Sequence, residues 1–202
     1  MRQVIGVDGF EALFRAAPDP WGYRDSPFER HKRGVLLRGC GGRIHGRVLE
    51  LACANGETTA ALSRLALRLV AQDASPTALA LARKRNAGQA RIRFRDGILP
   101  GDMPRGPFDM IVASEILYYL PPRDLDLCLG AIEAALAPGG RLVCLHHVVD
   151  FDDAATRPVE AACRVERHFA GRWRRVARHR AARYVMSAHV KPSLAQGRAS
   201  RR

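Results

Sequence analysis

Acidic and imidazole side chains recur in this sequence where short apolar runs end. Glu50 lies in the run 48–51, and Asp73 closes Leu69-Val70-Ala71-Gln72-Asp73. Asp96 closes the run 91–96, Ser114-Glu115 follows Phe108-Asp109-Met110-Ile111-Val112-Ala113, and His146-His147 follow residues 141–145. Between the first two runs stands Ala52-Cys53-Ala54-Asn55-Gly56, a turn of small residues. Small residues let a ligand approach the backbone, and an acid at the tip of the next strand can accept hydrogen bonds from both hydroxyls of a ribose. That pairing predicts a nucleoside site. Glu115 and the two histidines offer groups that hold or move a proton near neutral pH. A carboxylate such as Glu50, inside an apolar run, needs a partner.

The elements that position these groups can be read along the chain. Residues 9–16 predict a short helix with Phe10, Leu13 and Phe14 on one face. The loop Pro18-Asp19-Pro20-Trp21-Gly22-Tyr23 carries two aromatics that either plug the core edge or lie over a ligand. Ser26-Pro27-Phe28-Glu29 is a helix start, with Ser26 as N-cap and Glu29 as capping-box acid. The helix runs to residue 37 or 38 and carries Lys32 and Arg33, one of which can turn toward a carboxylate. A glycine-rich break at 39–46 precedes a strand at 48–51, a helix at 57–67 and a strand at 69–73. Ser75-Pro76 opens a helix to residue 85, and an alternating strand at 91–96 belongs near a sheet edge. A buried strand at 108–114 is followed by a helix at 123–136 that stops at Ala137-Pro138-Gly139-Gly140. A strand at 141–146, a helix at 153–170 and a hairpin at 173–179 and 184–190 complete the pattern. Such alternation predicts an α/β fold: a Rossmann-like, seven-stranded, mostly parallel sheet with helices on both faces and the last strand antiparallel. Ligands then bind outside the carboxyl ends of the strands, where the acids and histidines gather. The predicted organisation is an N-terminal helical lid at 1–38, one ligand-binding domain at 39–192 and a basic disordered tail at 193–202.

Composition narrows the class of function. The 202 residues carry a formal net charge of +13, and residues 151–202 alone hold 13 basic against 4 acidic side chains. The excess lies away from the small-residue turn, and only Lys32, Lys84 and Lys191 are lysines. This argues for a solvated or anion-attracting surface rather than a dedicated nucleic-acid site. The five cysteines show no C-x-x-C spacing, so neither a disulfide framework nor a metal site is expected. No run is long and apolar enough for a transmembrane helix, and no secretory signal is evident. A cytoplasmic protein, monomeric or weakly dimeric, is expected.

In order and spacing, the motifs resemble the class I methyltransferases that use S-adenosylmethionine. The matching residues are Glu50-x-Ala52-x-Ala54-x-Gly56, Asp73, Asp96, Phe108-Asp109-Met110-Ile111 and Leu136-x-Pro138-Gly139-Gly140-x-Leu142, covering roughly residues 46–147. Ala52 and Ala54 replace two of the usual three glycines. Their methyl groups narrow the approach, which argues against a pyrophosphate-bearing dinucleotide. The opening Asp19-Pro20-Trp21-Gly22-Tyr23, with Ser26, Phe28-Glu29-Arg30 and Lys32, is similar to the nodulation-type (NodS-like) enzymes, as are Cys53-Ala54 and Asp73-x-Ser75-Pro76-x-Ala78. Those enzymes N-methylate the glucosamine nitrogen of a deacetylated chitooligosaccharide.

The resemblance implies roles. Glu50, Ala52, Cys53, Ala54, Gly56, Asp73, Ala74, Asp96, Gly97 and Ser114 would form the cofactor site, with Asp73 on the ribose and Asp96 on the adenine amino group. Glu50 would hold the turn or the ligand's ammonium, and Trp21 and Arg33 would close over the methionine tail. Glu115 or His146 would serve as base. Tyr23, Tyr118, Tyr119 and His147 would face the acceptor, and strand alternation lets only one of the two histidines do so. No Asn/Asp-Pro-Pro-aromatic turn follows the fourth strand, which argues against methylation of a nucleobase amine. A small-molecule acceptor, most simply an amino-sugar amine, is expected. The alternatives are a small-molecule O-methyltransferase and a non-catalytic or RNA-associated binding protein.

Overall fold

The computed structural model describes residues 3–193. In chain order the elements are α1 (Val7–Ala16), α2 (Pro27–Cys40), β1 (His45–Leu51), α3 (Glu57–Leu62), β2 (Ala66–Asp73), α4 (Pro76–Arg85), β3 (Ile92–Asp96), β4 (Phe108–Ser114), α5 (Pro122–Ala135), β5 (Leu136–His147), α6 (Pro158–Phe169), β6 (Arg174–Arg180) and β7 (Tyr184–Val190). They build one seven-stranded sheet in the order β3-β2-β1-β4-β5-β7-β6. Strands β1 to β5 pair in parallel and β7 runs antiparallel to both neighbours. Val48, Met110, Val143 and Leu145 pack on one face of the sheet, under Val35 and Leu36 of α2. Leu49, Ile111, Leu142 and Cys144 pack on the other, under Leu129 and Ile132 of α5 and Val165 of α6. Strand order reverses between β1 and β4, so the crevice at their carboxyl ends is the expected ligand site.

Local signals explain most boundaries. Ser26 and Ser75 cap α2 and α4, their hydroxyls accepting from the Glu29 and Ala78 amides. Glu29 does not complete a capping box; its carboxylate accepts from Lys32 Nζ at 2.8 Å instead. The helix expected at 57–67 stops at Leu62. One turn of 3-10 helix follows at Ser63–Leu65, and Ala66 already pairs with His45 on β1. The helix expected from 153 begins at Pro158, because the Thr156 hydroxyl and amide bond the Leu120 and Tyr118 carbonyls and hold the preceding loop. Pro138-Gly139-Gly140 lies within β5 rather than before it. The Gly139 amide donates to Lys191 O, and Lys191 Nζ caps α5 through the Glu133 and Leu136 carbonyls.

The bulge in β6 between Arg175 and Ala177 resets which residues share a face. Arg175, Arg178 and Arg180 oppose His189, Ser187 and Val185, so all three lie on one side of this edge strand. The opposite edge, β3, carries exposed Arg93 and Arg95. Among the described residues no helix is long and apolar enough to cross a membrane. The expected tail falls outside the described residues, apart from Ser193.

Candidate active site

The turn after β1 keeps the backbone that glycine favours although two of its residues are alanine. Ala52 and Ala54 have φ of 54° and 50°. A side chain there costs about 1 to 2 kcal/mol per residue, a strain that is found at functional turns. Gly56 is different. A Cβ at this position would lie 2.7 Å from Asn86 Nδ2 and 2.9 Å from the Ala82 Cα, so glycine is what lets α3 start directly against α4. The turn closes on the next strand: the Ala54 amide donates to Asp73 Oδ2 at 2.8 Å, and the Ser75 amide to Oδ1 at 2.9 Å. Burial raises the Asp73 pKa, against these backbone donors.

Two connected spaces open at this turn. A narrow recess is lined by Tyr23, Glu29, Lys32, Arg33, Glu50, Ala52, Cys53, Ala54, Ser114 and Glu115. It shares Tyr23, Lys32, Ala52, Ala54, Ser114 and Glu115 with a cavity of about 570 Å³. Asp73, Ala74 and Gly97 lie on the wall of that cavity together with Ile98, Leu99 and Ile116, while Phe10, Phe14, Trp21, Tyr118, Tyr119, Phe151 and His147 line it further round.

Glu50 is 3% exposed, and its side chain accepts a hydrogen bond from the Thr59 hydroxyl at 2.6 Å. Burial pushes its pKa up to about 8, opposed by Thr59 and reinforced by Asp73. A buried carboxyl without a cation, at the end of a narrow recess, suits a ligand ammonium. Ile98, Leu99 and Ile116 give an apolar slot suited to a purine beside Asp73. The donor set therefore fits S-adenosylmethionine: an acid for the ribose, an acid for the ammonium and an apolar berth for the base.

At the junction of recess and cavity, Glu115 follows β4 with φ of 57°. Its carboxylate accepts from Lys32 Nζ at 2.7 Å, from the Tyr118 hydroxyl at 2.8 Å and from the His147 amide at 2.7 Å. Burial is the largest influence on Lys32 and lowers its pKa; Glu115 and Glu29 together outweigh it, so the ammonium is held above its ordinary range. Lys32, rather than Arg33, is thus the α2 cation that turns to a carboxylate. Arg33 reaches the recess but donates to the Tyr23 carbonyl at 3.1 Å.

Three expectations differ from the structure. His146 points into the core beneath Tyr118, 2% exposed and outside both spaces. Burial pushes its pKa down to about 4, so it is a neutral core residue and not a base. Its neighbour His147 lines the cavity, and burial lowers its pKa with Glu115 opposing. Asp96 stands level with Asp73 in the register of β3 against β2, but on this edge strand it is exposed and lies outside the cavity lining, which Gly97 reaches. Trp21 lines the broad cavity rather than the narrow recess, edge-on to Phe14 and tilted against Phe10 and Tyr23.

Among the cavity residues left without a site role by the sequence are Phe10, Phe14, Phe151 and Arg183. The spacing of Phe10 and Phe14 on one helical face was the available signal. Phe151 and Arg183 arrive through tertiary folding alone.

A family profile described as a methyltransferase domain matches residues 48–140. Nodulation protein S of Rhizobium tropici is 36% identical over 141 residues, 67% of this chain and 59% of that protein. Its counterpart from Sinorhizobium fredii is 32% identical over 172 residues, 82% of this chain and 73% of that one. The crystal structure of the N-methyltransferase NodS from Bradyrhizobium japonicum, in complex with S-adenosyl-L-homocysteine, superposes with a TM-score of 0.80 at 25% identity, over 93% of this chain and 98% of that one. Fold and site are those of a class I methyltransferase that uses S-adenosylmethionine. Within that class, the chain belongs to the nodulation protein S family.

Proposed function

We propose that this enzyme N-methylates a primary amine on a small acceptor of the amino-sugar kind. The observation that carries the reading is Glu115. A carboxylate fixed by Lys32, Tyr118 and the His147 backbone stands where the cofactor recess meets the cavity, so an arriving ammonium finds an anchored negative charge. In support, the superposed NodS structure is that of an N-methyltransferase.

When bound, S-adenosylmethionine supplies a methyl group already activated on a sulfonium, so the protein's task is alignment, proton removal and exclusion of water. Asp73 would hold the ribose hydroxyls and Glu50 the ammonium. Glu115 orients the acceptor amine. His147, neutral at working pH because burial lowers its pKa, accepts the proton that the amine must lose before its lone pair can react. Phe10, Phe14 and Trp21, brought by α1 and the following loop, cover the cavity and keep water out.

The test is transfer of labelled methyl to glucosamine and to deacetylated chitooligosaccharides, beside a catechol as hydroxyl acceptor. Transfer to the amines, with Glu115→Gln lowering turnover by about tenfold or more while leaving affinity for S-adenosylhomocysteine nearly unchanged, is the expected result. Transfer to the catechol alone would overturn it in favour of O-methylation.

A further inference from the structure

We propose that Arg183 makes the acceptor site selective for amines that also carry an anionic group, a carboxylate or a phosphate. The proposal rests on the amine reading for the other end of the acceptor.

Arg183 lies in the turn between β6 and β7, at the end of the sheet where β5 delivers His147. Two backbone hydrogen bonds fix this turn. The Val148 amide donates to the Arg183 carbonyl at 2.9 Å, and the Ala181 amide to the Tyr184 carbonyl at 2.9 Å. The Arg183 guanidinium lies 4.1 Å from the centre of the Phe28 ring, on α2. The side chain lines the cavity and is exposed, which places it at the mouth.

Its charge is unspent. Lys32, the other cation on the cavity wall, is shared between Glu29 and Glu115 at 2.8 and 2.7 Å. Elsewhere in the C-terminal part of the chain, Arg164, Arg172 and Arg175 each hold a carboxylate. Among the described residues no ion pair involves Arg183; its contact is the aromatic face. A guanidinium resting on a ring keeps its in-plane N–H donors available, and that planar fork matches the two oxygens of a carboxylate or phosphate. Glu115 and Arg183 thus give the acceptor region two poles, one for an ammonium and one for an anion. A neutral amino sugar uses only the first.

The experiment is calorimetry on the full chain saturated with S-adenosylhomocysteine, titrated with glucosamine, glucosamine 6-phosphate and muramic acid. The two anionic sugars should bind ~10-fold or more tightly than glucosamine. Arg183→Gln should erase the difference while keeping the melting temperature and the affinity for S-adenosylhomocysteine. An advantage confined to the phosphate or to the carboxylate identifies which anion the site takes, and either upholds the proposal. Equal affinities for all three sugars, or an advantage that survives Arg183→Gln, would overturn it. Methyl transfer to the same sugars reads the amine assignment separately: Arg183-dependent binding without transfer would leave the anion site standing and remove the amine reading.

Discussion

Glu50 and Asp73 are two carboxyl groups buried on either side of one turn, and burial raises the pKa of each. The sign of the consequence follows from proton counting. With a folded pKa of about 8 against an ordinary 4.5, Glu50 keeps its proton in the folded protein over a range where the unfolded chain has lost it. Stability of the free protein therefore falls as pH rises through that window. A ligand ammonium beside Glu50 favours its charged form, so binding should release a proton and tighten with pH. Calorimetry in buffers of differing ionisation heat should show proton release on binding S-adenosylhomocysteine, with affinity rising ~10- to 100-fold between about pH 6 and pH 8.5. Glu50→Gln should flatten that dependence; an unchanged slope would place the ammonium elsewhere. Asp73→Ala should weaken the same ligand by about 2 to 3 kcal/mol, through loss of charge-assisted hydrogen bonds to the ribose.

The three positions of the turn also separate conformational from steric need. Ala54→Gly relieves a left-handed φ and should stabilise the protein by up to about 1 kcal/mol, after the greater freedom of glycine in the unfolded chain is counted. Gly56→Ala meets α4 and should cost about 1 to 3 kcal/mol. Urea unfolding of the two variants should move their midpoints in opposite directions. The site was legible in the sequence where it depends on strand tips, as at Glu50, Asp73, Ser114 and Glu115. It was illegible where the parity of a side chain decides. His146 and His147 are adjacent, and only the final register of β5 against β7 shows which one faces the cavity. Asp96 is a different case: it has the parity of Asp73, and its place on the edge strand β3 leaves it exposed.

At the scale of elements, α1 packs Phe10 against Tyr119 and ties itself to α4 through Glu11. The Glu11 carboxylate accepts from the Ser75 hydroxyl at 2.6 Å and from the Thr77 hydroxyl and amide at 2.6 and 3.1 Å. These donors hold its pKa down to about 2, so the contact is present above the ordinary carboxylate range and is lost as pH falls through about 2. Ser75 also donates its amide to Asp73, so α1 and Asp73 share one anchor. Glu11→Ala should speed tryptic cleavage in the first 24 residues and raise the dissociation constant for S-adenosylhomocysteine several-fold. Equal cleavage rates for variant and parent would show that α1 is held by its aromatic face alone. The capping serines, the Pro-Gly-Gly segment and the helix-strand alternation made these elements readable. The shortened α3 and α6 were not, because their ends are set by long-range partners, Ala66 with His45 and Thr156 with Leu120.

Across the whole molecule, charge is arranged by edge. A sheet with two free edges invites another chain to pair, and arginines on an edge strand oppose that. β6 presents Arg174, Arg175, Arg178 and Arg180, and β3 presents Arg93 and Arg95. This distribution accounts for part of the net charge of +13 without a nucleic-acid partner. The chain should elute as a monomer in dilute buffer, by light scattering coupled to gel filtration. The mostly parallel, seven-stranded sheet with its last strand antiparallel followed from the sequence, since strand-helix alternation requires crossovers on both faces; the strand order came from the structure.

The bulge in β6 has a colloidal consequence. By gathering Arg178 and Arg180 on the face of Arg175, whose charge Glu166 offsets, it makes that edge a source of repulsion between copies. Repulsion of this kind acts over a Debye length, roughly 10 Å at 0.1 M salt and 3 Å at 1 M. Added sodium chloride should therefore lower the second virial coefficient of this protein steadily, and multivalent anions should do so at much lower concentration. Concentrated stocks will keep best in dilute buffers of monovalent ions.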